Sequence, residues 1–379
     1  MPADSQSCEL LRAIAKRSSA EQIHRIAAEV RDWDSLFNLA QNHRVLPMLF
    51  SRLADMSTAV PQTMQQRLQA AYDRNIFHNL ANAAELIAVL KAFEQEMIPA
   101  MPFKGVVLGA SIYQDLTTRT AGDLDLLVRY KDLTRATTIL LKRGYLLETP
   151  VSAEGTPVVP NYYEYHFERP TDGMVLELRW RLELTQTSFR HDLGMDWVWP
   201  HRRITKLAGA EVPDISREIT LLMLCMHGSK HVWSRLAWIC DVAQLLKVSP
   251  DLDWKAVLRE AKRTGLWRSL ALGVLLAHRV ADAEVPQPFL KSFESETAVS
   301  NLAQYIQQNL FDAPGTMPEG RVPYHITLLG FRDRARGILS LDFLQPNERD
   351  LAAISLPKSL HLLYYLIRPF RIFWDRSAR

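Results

Sequence analysis

Cysteine is almost missing from this chain. Cys8, Cys225 and Cys240 are the whole complement. With no C-x-x-C among them, a disulfide scaffold and a cysteine-built zinc site are excluded. A bias of charge is also missing. Lys and Arg total 45 against 42 Asp and Glu, a formal +3, so the surface as a whole is no electrostatic footprint for nucleic acid. No stretch approaches the ~18 uncharged apolar residues of a bilayer span, so no transmembrane segment is expected. Met1-Pro-Ala-Asp-Ser5 has no basic region followed by an apolar one, so no signal peptide is read. No repeat of fixed period and no low-complexity tract is present. These lacks lead to the expectation of a protein of the reducing cytoplasm. The rest is ordinary: 47% apolar and 23% charged residues argue against broad disorder. At roughly 100–200 residues per domain, 379 residues suggest two or three units.

Apolar residues at three-to-four spacing predict helices over 7–17, 20–30, 36–53 and 62–96. The texture changes at Met97. Residues 97–103 are short and apolar with two prolines, which suits an edge strand. Lys104-Gly105 opens a helical run over 106–113, a polar loop covers 114–122, and residues 123–128 form a strand. Asp132 is placed to cap a helix over 133–143, Gly144 ends it, and 145–147 is another strand. After a loop over 149–161, strands over 162–168 and 174–180 are joined by a turn at 169–173. Val175, Glu177 and Arg179 share one face of the second strand; Leu176, Leu178 and Trp180 share the other. Helices follow over 219–232, 236–246, 254–263 and 266–281, and the Pro- and Gly-bearing stretch 311–324 breaks the pattern. The fold class is α+β: a small mixed β-sheet core (97–185) embedded between N-terminal (1–96) and C-terminal (186–379) helical regions.

The chemistry lies in the α/β part. Asp123 and Asp125 are two apart on a strand, so both carboxylates point to one face. Burying apolar residues does not need two repelling carboxylates, whereas a hard divalent cation does. Glu177, on a later strand, adds a third acid of the kind used in two-metal phosphoryl or nucleotidyl transfer. A lone D-x-D is most often a solvated strand end. Its context sets this one apart. Gly105 at a helix start lets phosphate approach backbone N–H groups, Lys104 adds a cation there, and Arg119 suits a bidentate phosphate clamp.

Phe103-Lys-Gly-Val-Val-Leu108 and Arg119-Thr-Ala-Gly-Asp-Leu-Asp-Leu-Leu-Val128 together resemble the uncharacterised nucleotidyltransferase family of the polymerase-beta-like superfamily. Leu176-Glu-Leu-Arg-Trp180, the segment from Leu221 to His231, Trp238-Ile-Cys-Asp241 and the N-terminal Trp33 to Pro47 extend the resemblance over most of the chain. It implies a minimal nucleotidyltransferase core, dependence on Mg²⁺ (with Mn²⁺ as the alternative ion), and transfer of a nucleoside monophosphate from an NTP. ATP is the default donor; the acceptor, a small molecule, peptide or protein, is not identified. By analogy Asp123 and Asp125 are metal ligands and Glu177 the third acid. Two features depart from the pattern. The usual phosphate loop is Gly-Ser or Gly-Gly; here it is Lys104-Gly105, with seventeen residues between it and Asp123, and Gly109-Ala110, with twelve residues between, is the alternative. Arg179 stands where related sequences often carry His, either to bind phosphate or to pair with Glu177.

Other features have plainer readings. His227 and His231 are i, i+4 on a helix, as in zinc sites, but Gly228 takes the general-base position and no third ligand is indicated. The resemblance makes this helix substrate-facing, with Lys230 and His231 near the triphosphate or base; packing on an amphipathic helix is the rival. The aromatic, basic residues of 360–374 suit a helix packed on the preceding bundle better than an interfacial membrane helix. The rivals to nucleotidyl transfer are a non-catalytic binding or scaffold protein that keeps the fold, and a phosphotransferase acting on the γ-phosphate.

Overall fold

The computed structural model describes residues 5–56, 59–150, 163–182 and 193–312, with Leu328, Leu363 and Tyr364 besides. Most of the loop expected at 149–161, of the break at 311–324 and of the segment 360–374 lies outside them. The chain begins with α1 (Ser5–Ala15), α2 (Ala20–Glu29), α3 (Trp33–Asn42), α4 (Leu46–Leu53) and α5 (Gln62–Gln95). Ser19 and Asp32 cap α2 and α3 by accepting from the backbone N–H of Gln22 and Ser35. The single helix expected over 36–53 is two. Arg44 adopts φ 55°, its N–H bonds to the Gln41 carbonyl, and the Val45 N–H returns to Ala40. That pair of bonds is a Schellman motif and closes α3. Pro47, with no N–H to satisfy, then sits in the first turn of α4.

β1 (Ala100–Phe103) leads straight into α6 (Gly105–Leu108), which continues as a π-helical turn over Gly109–Tyr113. β2 (Leu124–Val128), α7 (Leu133–Lys142), β3 (Leu146–Leu147) and the hairpin β4 (Glu164–Arg169) and β5 (Met174–Arg179) follow. The five strands lie in the order β1-β2-β5-β4-β3. Only β2 and β5 run parallel; the other neighbours are antiparallel. Pro102 is accommodated because β1 is an edge. Asp132 does not cap α7 with its side chain. A 3₁₀ turn over Tyr130–Asp132 gives it near-helical angles, φ −96° and ψ −3°, instead of the extended backbone of a capping residue.

A short helix α8 (Met195–Val198) precedes a second hairpin, β6 (Arg202–Leu207) and β7 (Ala210–Ile215), where no strand was expected. Its two-residue turn is Ala208-Gly209. Then come α9 (Arg217–Lys230), α10 (Leu236–Lys247), α11 (Trp254–Thr264), α12 (Trp267–Ala281), α13 (Gln287–Glu294) and α14 (Thr297–Asn309).

Buried apolar side chains gather in two clusters. The larger joins α1–α4 and the start of α5 to α9–α14. The smaller joins Ala83, Leu86, Val89 and Phe93 of α5 to α7 and the sheet. Strand alternation divides the sheet between them. Leu124, Leu126, Val128, Leu176 and Leu178 enter the smaller cluster, while Met101, Phe103 and Leu127, on the carboxylate face, enter the larger. By length and composition alone, one window of α5 among the described helices is apolar enough to cross a membrane, which by itself is weak evidence of a span. That window is 39% buried within the protein, and Glu85, on the same helix, accepts Arg143 and Arg169 at 2.9–3.0 Å.

Candidate active site

Register brings the three acids together. In the parallel pair, Asp125 lies directly opposite Glu177, and Asp123 precedes β2 on the same face. One oxygen of each carboxylate lies within 4.8 Å of the others. Asp125 is buried, while Asp123 and Glu177 are half-buried. The Oδ1 atom of Asp125 is fully enclosed and accepts no hydrogen bond. Burial, and then the charge of Asp125, push the Asp123 carboxyl above its ordinary range; Lys104, Arg44 and Arg179 oppose this. Asp125 is also raised, by burial first, against Lys104 and Arg179 and with the proximity of Glu177. Too much negative charge is packed into too little water, and a cation relieves it.

Arg179 supplies part of that charge. Its guanidinium bonds to Glu177 and to Glu164 Oε2 at 2.7 Å, with Nε 3.4 Å from Asp125 Oδ1. Of the two roles open to this residue, pairing with Glu177 is the one observed. His166, opposite Glu177 in the hairpin, places Nε2 3.6 Å from Glu177 Oε1. The sequence reading passed over His166 and Glu164, although the turn it identified fixes both. Arg169 pairs with Met174, and counting back along the two strands sets Glu177 opposite His166 and Arg179 opposite Glu164.

The Lys104-Gly105 step lies against Asp123. Lys104 has φ 57° and ψ −141°, and Gly105 has φ 43°; a Cβ on Gly105 would meet the Asp123 carbonyl at 3.1 Å. Glycine is needed there twice over, for the dihedral and for the approach. Gly109, the alternative, opens the π-helical turn and faces the Asp115 carbonyl. Arg119 is differently engaged from the phosphate clamp expected of it. Its Nε donates to both oxygens of Asp241 at 3.1 and 3.2 Å, and its Nη1 to the Gly105 carbonyl at 3.0 Å. Tyr113 also donates to Asp241, at 2.9 Å. Burial works against the charge of Arg119, but Asp241, helped by Tyr113 and Asp123, outweighs it and holds the guanidinium above its ordinary range. In this geometry Arg119 fixes the loop that carries Gly105.

Lys230, at the end of α9, donates to the Tyr163 hydroxyl at 3.0 Å, and the Arg179 guanidinium lies 5.9 Å from the same ring. The His231 ring packs with His227 and Trp238, at 4.6 and 5.3 Å, which is the aromatic packing weighed for this helix. Two cations were not foreseen. Arg44, in the loop after α3, and Arg235, before α10, both act on Asp123. Their proximity is tertiary, and no local pattern announces it.

A mixed sheet carrying three convergent carboxylates beside a Lys-Gly turn, with helices around it, has the form of a nucleotidyltransferase core. A family model described as an uncharacterised nucleotidyltransferase matches residues 29–282. The chain belongs to that family, and the match takes in helices on both sides of the sheet. No curated protein and no solved structure matches the chain.

Proposed function

We propose that the protein is a divalent-cation-dependent nucleotidyltransferase of the cytoplasm. In this reading it moves a nucleoside monophosphate from an NTP, ATP by default, to an acceptor hydroxyl. The family gives the general role of nucleotidyl transfer. The observation that carries the rest is the acid cluster: three carboxylates within 4.8 Å and an enclosed Asp125 oxygen that accepts no hydrogen bond. An all-oxygen donor set of this kind suits Mg²⁺, or Mn²⁺ in its place. Asp123, Asp125 and Glu177 would hold it. When bound, the cation neutralises phosphate charge and favours the ionised acceptor oxygen.

The chain's own residues then have separate tasks. Lys104 and the Gly105 backbone receive the phosphates. Arg119 holds Gly105 in place through its carbonyl. Arg179 orients Glu177, and Lys230 and His231 stand near the triphosphate or the base. The acceptor oxygen attacks the α-phosphorus, the bond to the bridging oxygen of the β-phosphate breaks, and pyrophosphate leaves. The hydroxyl proton passes to Glu177. Rate enhancement comes from positioning and charge complementarity.

Calorimetry with Mg²⁺ and each NTP tests this on the wild type and on Asp123→Asn/Asp125→Asn. Binding by the wild type alone supports the reading; equal binding, or none, ends it. Release of a nucleoside diphosphate in place of pyrophosphate would turn the assignment to a phosphotransferase. One observation favours a second reading, a non-catalytic binding protein. Arg179 already places a fixed positive charge among Glu177, Glu164 and Asp125. A wild type that takes up no divalent cation would sustain that view.

A further inference from the structure

Two arginines outside the sheet feel the charge of Asp123, one from each helical part of the chain. A side chain built on Gly122 would meet the Arg44 guanidinium at 3.5 Å, so Arg44 lies against the residue before Asp123. Arg235 is half-buried over the Trp238 ring at 5.2 Å. Main-chain bonds lock the two loops together. The Leu236 N–H donates to His43 Nδ1 at 3.1 Å, and the Ala237 N–H to the His43 carbonyl at 3.2 Å. The first amides of α10 are thereby occupied, and the side chains are what this junction offers a ligand.

Three features set this pair apart from Arg119 and Arg179, the other arginines of the site. Neither has an acid within ion-pairing distance among the described residues, whereas Arg119 and Arg179 both do. They also stand against like charge. Desolvation lowers Arg44, although its side chain is exposed; Asp123 opposes this and Arg119, the smaller charge effect, adds to it, while desolvation and then Arg44 depress the half-buried Arg235, with Asp123 opposing. Finally, the backbone that carries them is strained. Arg44 occupies the C′ position of the Schellman motif at φ 55°, where glycine is the usual residue. Val232 and Trp233, just before Arg235, have φ of 60° and 55°, and the Trp233 ring lies so close to Gly228 that a Cβ there would clash at 2.5 Å.

We infer that Arg44 and Arg235, with Lys104, form the polyphosphate site of the enzyme, so that the two helical parts jointly hold the triphosphate of the NTP over Asp123. This rests on the nucleotidyltransferase reading above. A triphosphate between the arginines and the acid cluster supplies the anion that both guanidinium groups lack, through charge-assisted bonds.

Arg44→Asn, Arg44→Lys and Arg235→Gln test the inference; Asn tolerates the left-handed backbone at position 44. The probes are Mn²⁺ alone, ATP with Mn²⁺, and inorganic tripolyphosphate with Mn²⁺, each by calorimetry. Arg44→Asn and Arg235→Gln are expected to bind Mn²⁺ alone like the wild type and to bind ATP and tripolyphosphate ~10-fold or more weakly. Arg44→Lys should recover part of the affinity, and no ligand-free variant should melt below the wild type. Undiminished binding of tripolyphosphate by both neutral variants overturns the inference and leaves the nucleotidyltransferase reading intact. Loss of Mn²⁺ binding together with a lowered melting midpoint also overturns it, because the arginines would then be structural. A wild type that binds neither Mn²⁺ nor ATP defeats the underlying reading, and this inference falls with it.

Discussion

Two clusters of buried charge flank Gly105, and they are built on opposite plans. On one side Arg119, Asp241, Tyr113 and the Gly105 carbonyl satisfy one another, with the Asp241 side chain 2% exposed. Its charges balance, and the cluster holds a shape. On the other side Asp123, Asp125 and Glu177 crowd together with one enclosed oxygen unserved, and both aspartates are pushed toward their protonated form. A buried ion pair that is complete resists the loss of either member. An incomplete acid cluster is costly in the free protein and recovers that cost when a cation arrives.

The largest expected effect falls on the closed cluster. Asp241→Ala strips Arg119 of its counter-ion and should destabilise the protein by about 3–5 kcal/mol in denaturant unfolding. The open cluster should respond to ligand instead. Mn²⁺ at a hundredfold excess over its Kd should stabilise the wild type by about 2.7 kcal/mol and leave Asp125→Asn unmoved, as read by thermal unfolding. Because both aspartates are raised, protons should compete with Mn²⁺ at higher pH than for an ordinary aspartate; affinity that is flat down to the usual carboxylate range would contradict this.

A smaller effect belongs to His43, whose pKa burial, then Arg235, lowers from 6.5 to about 4. A depressed histidine contributes stability that is present above pH 6.5 and lost as pH falls toward 4. At pH 5 the loss should be about 2 kcal/mol. His43→Asn keeps an acceptor for the Leu236 N–H and should flatten that part of the stability–pH curve. The smallest effect is Asp123→Asn without metal. Since burial disfavours its charge, the midpoint should stay level or rise slightly, and a clear drop would place Asp123 among the structural acids.

The open cluster was legible in the sequence and the closed one was not. Asp-x-Asp on a strand and Glu177 on a later strand are period-two signals, and period two survives any tertiary arrangement. The edge strand with Pro102, the hairpin through 169–173 and the long helix α5 were legible for similar local reasons. Arg119 was read as a phosphate clamp because its partner Asp241 lies 122 residues away. Arg44 was hidden inside an expected continuous helix, although Pro47 marked the break. The β6–β7 hairpin was missed because its short polar strands alternate weakly: Ile204 is 60% exposed, and only Leu207 and Val212 reach the sheet's core.

The bond between His43 and Leu236 spans 193 residues. At about 5–20 residues per second on the ribosome, the early helices emerge roughly 10–40 s before α10 exists to cover them. Through that interval the apolar faces of α1–α4 lack α10–α14, which complete their core, and Arg44 lacks the loop that bears Arg235. Closure of the junction between the two helical parts is therefore a late event in synthesis, set by the 193 residues between His43 and Leu236.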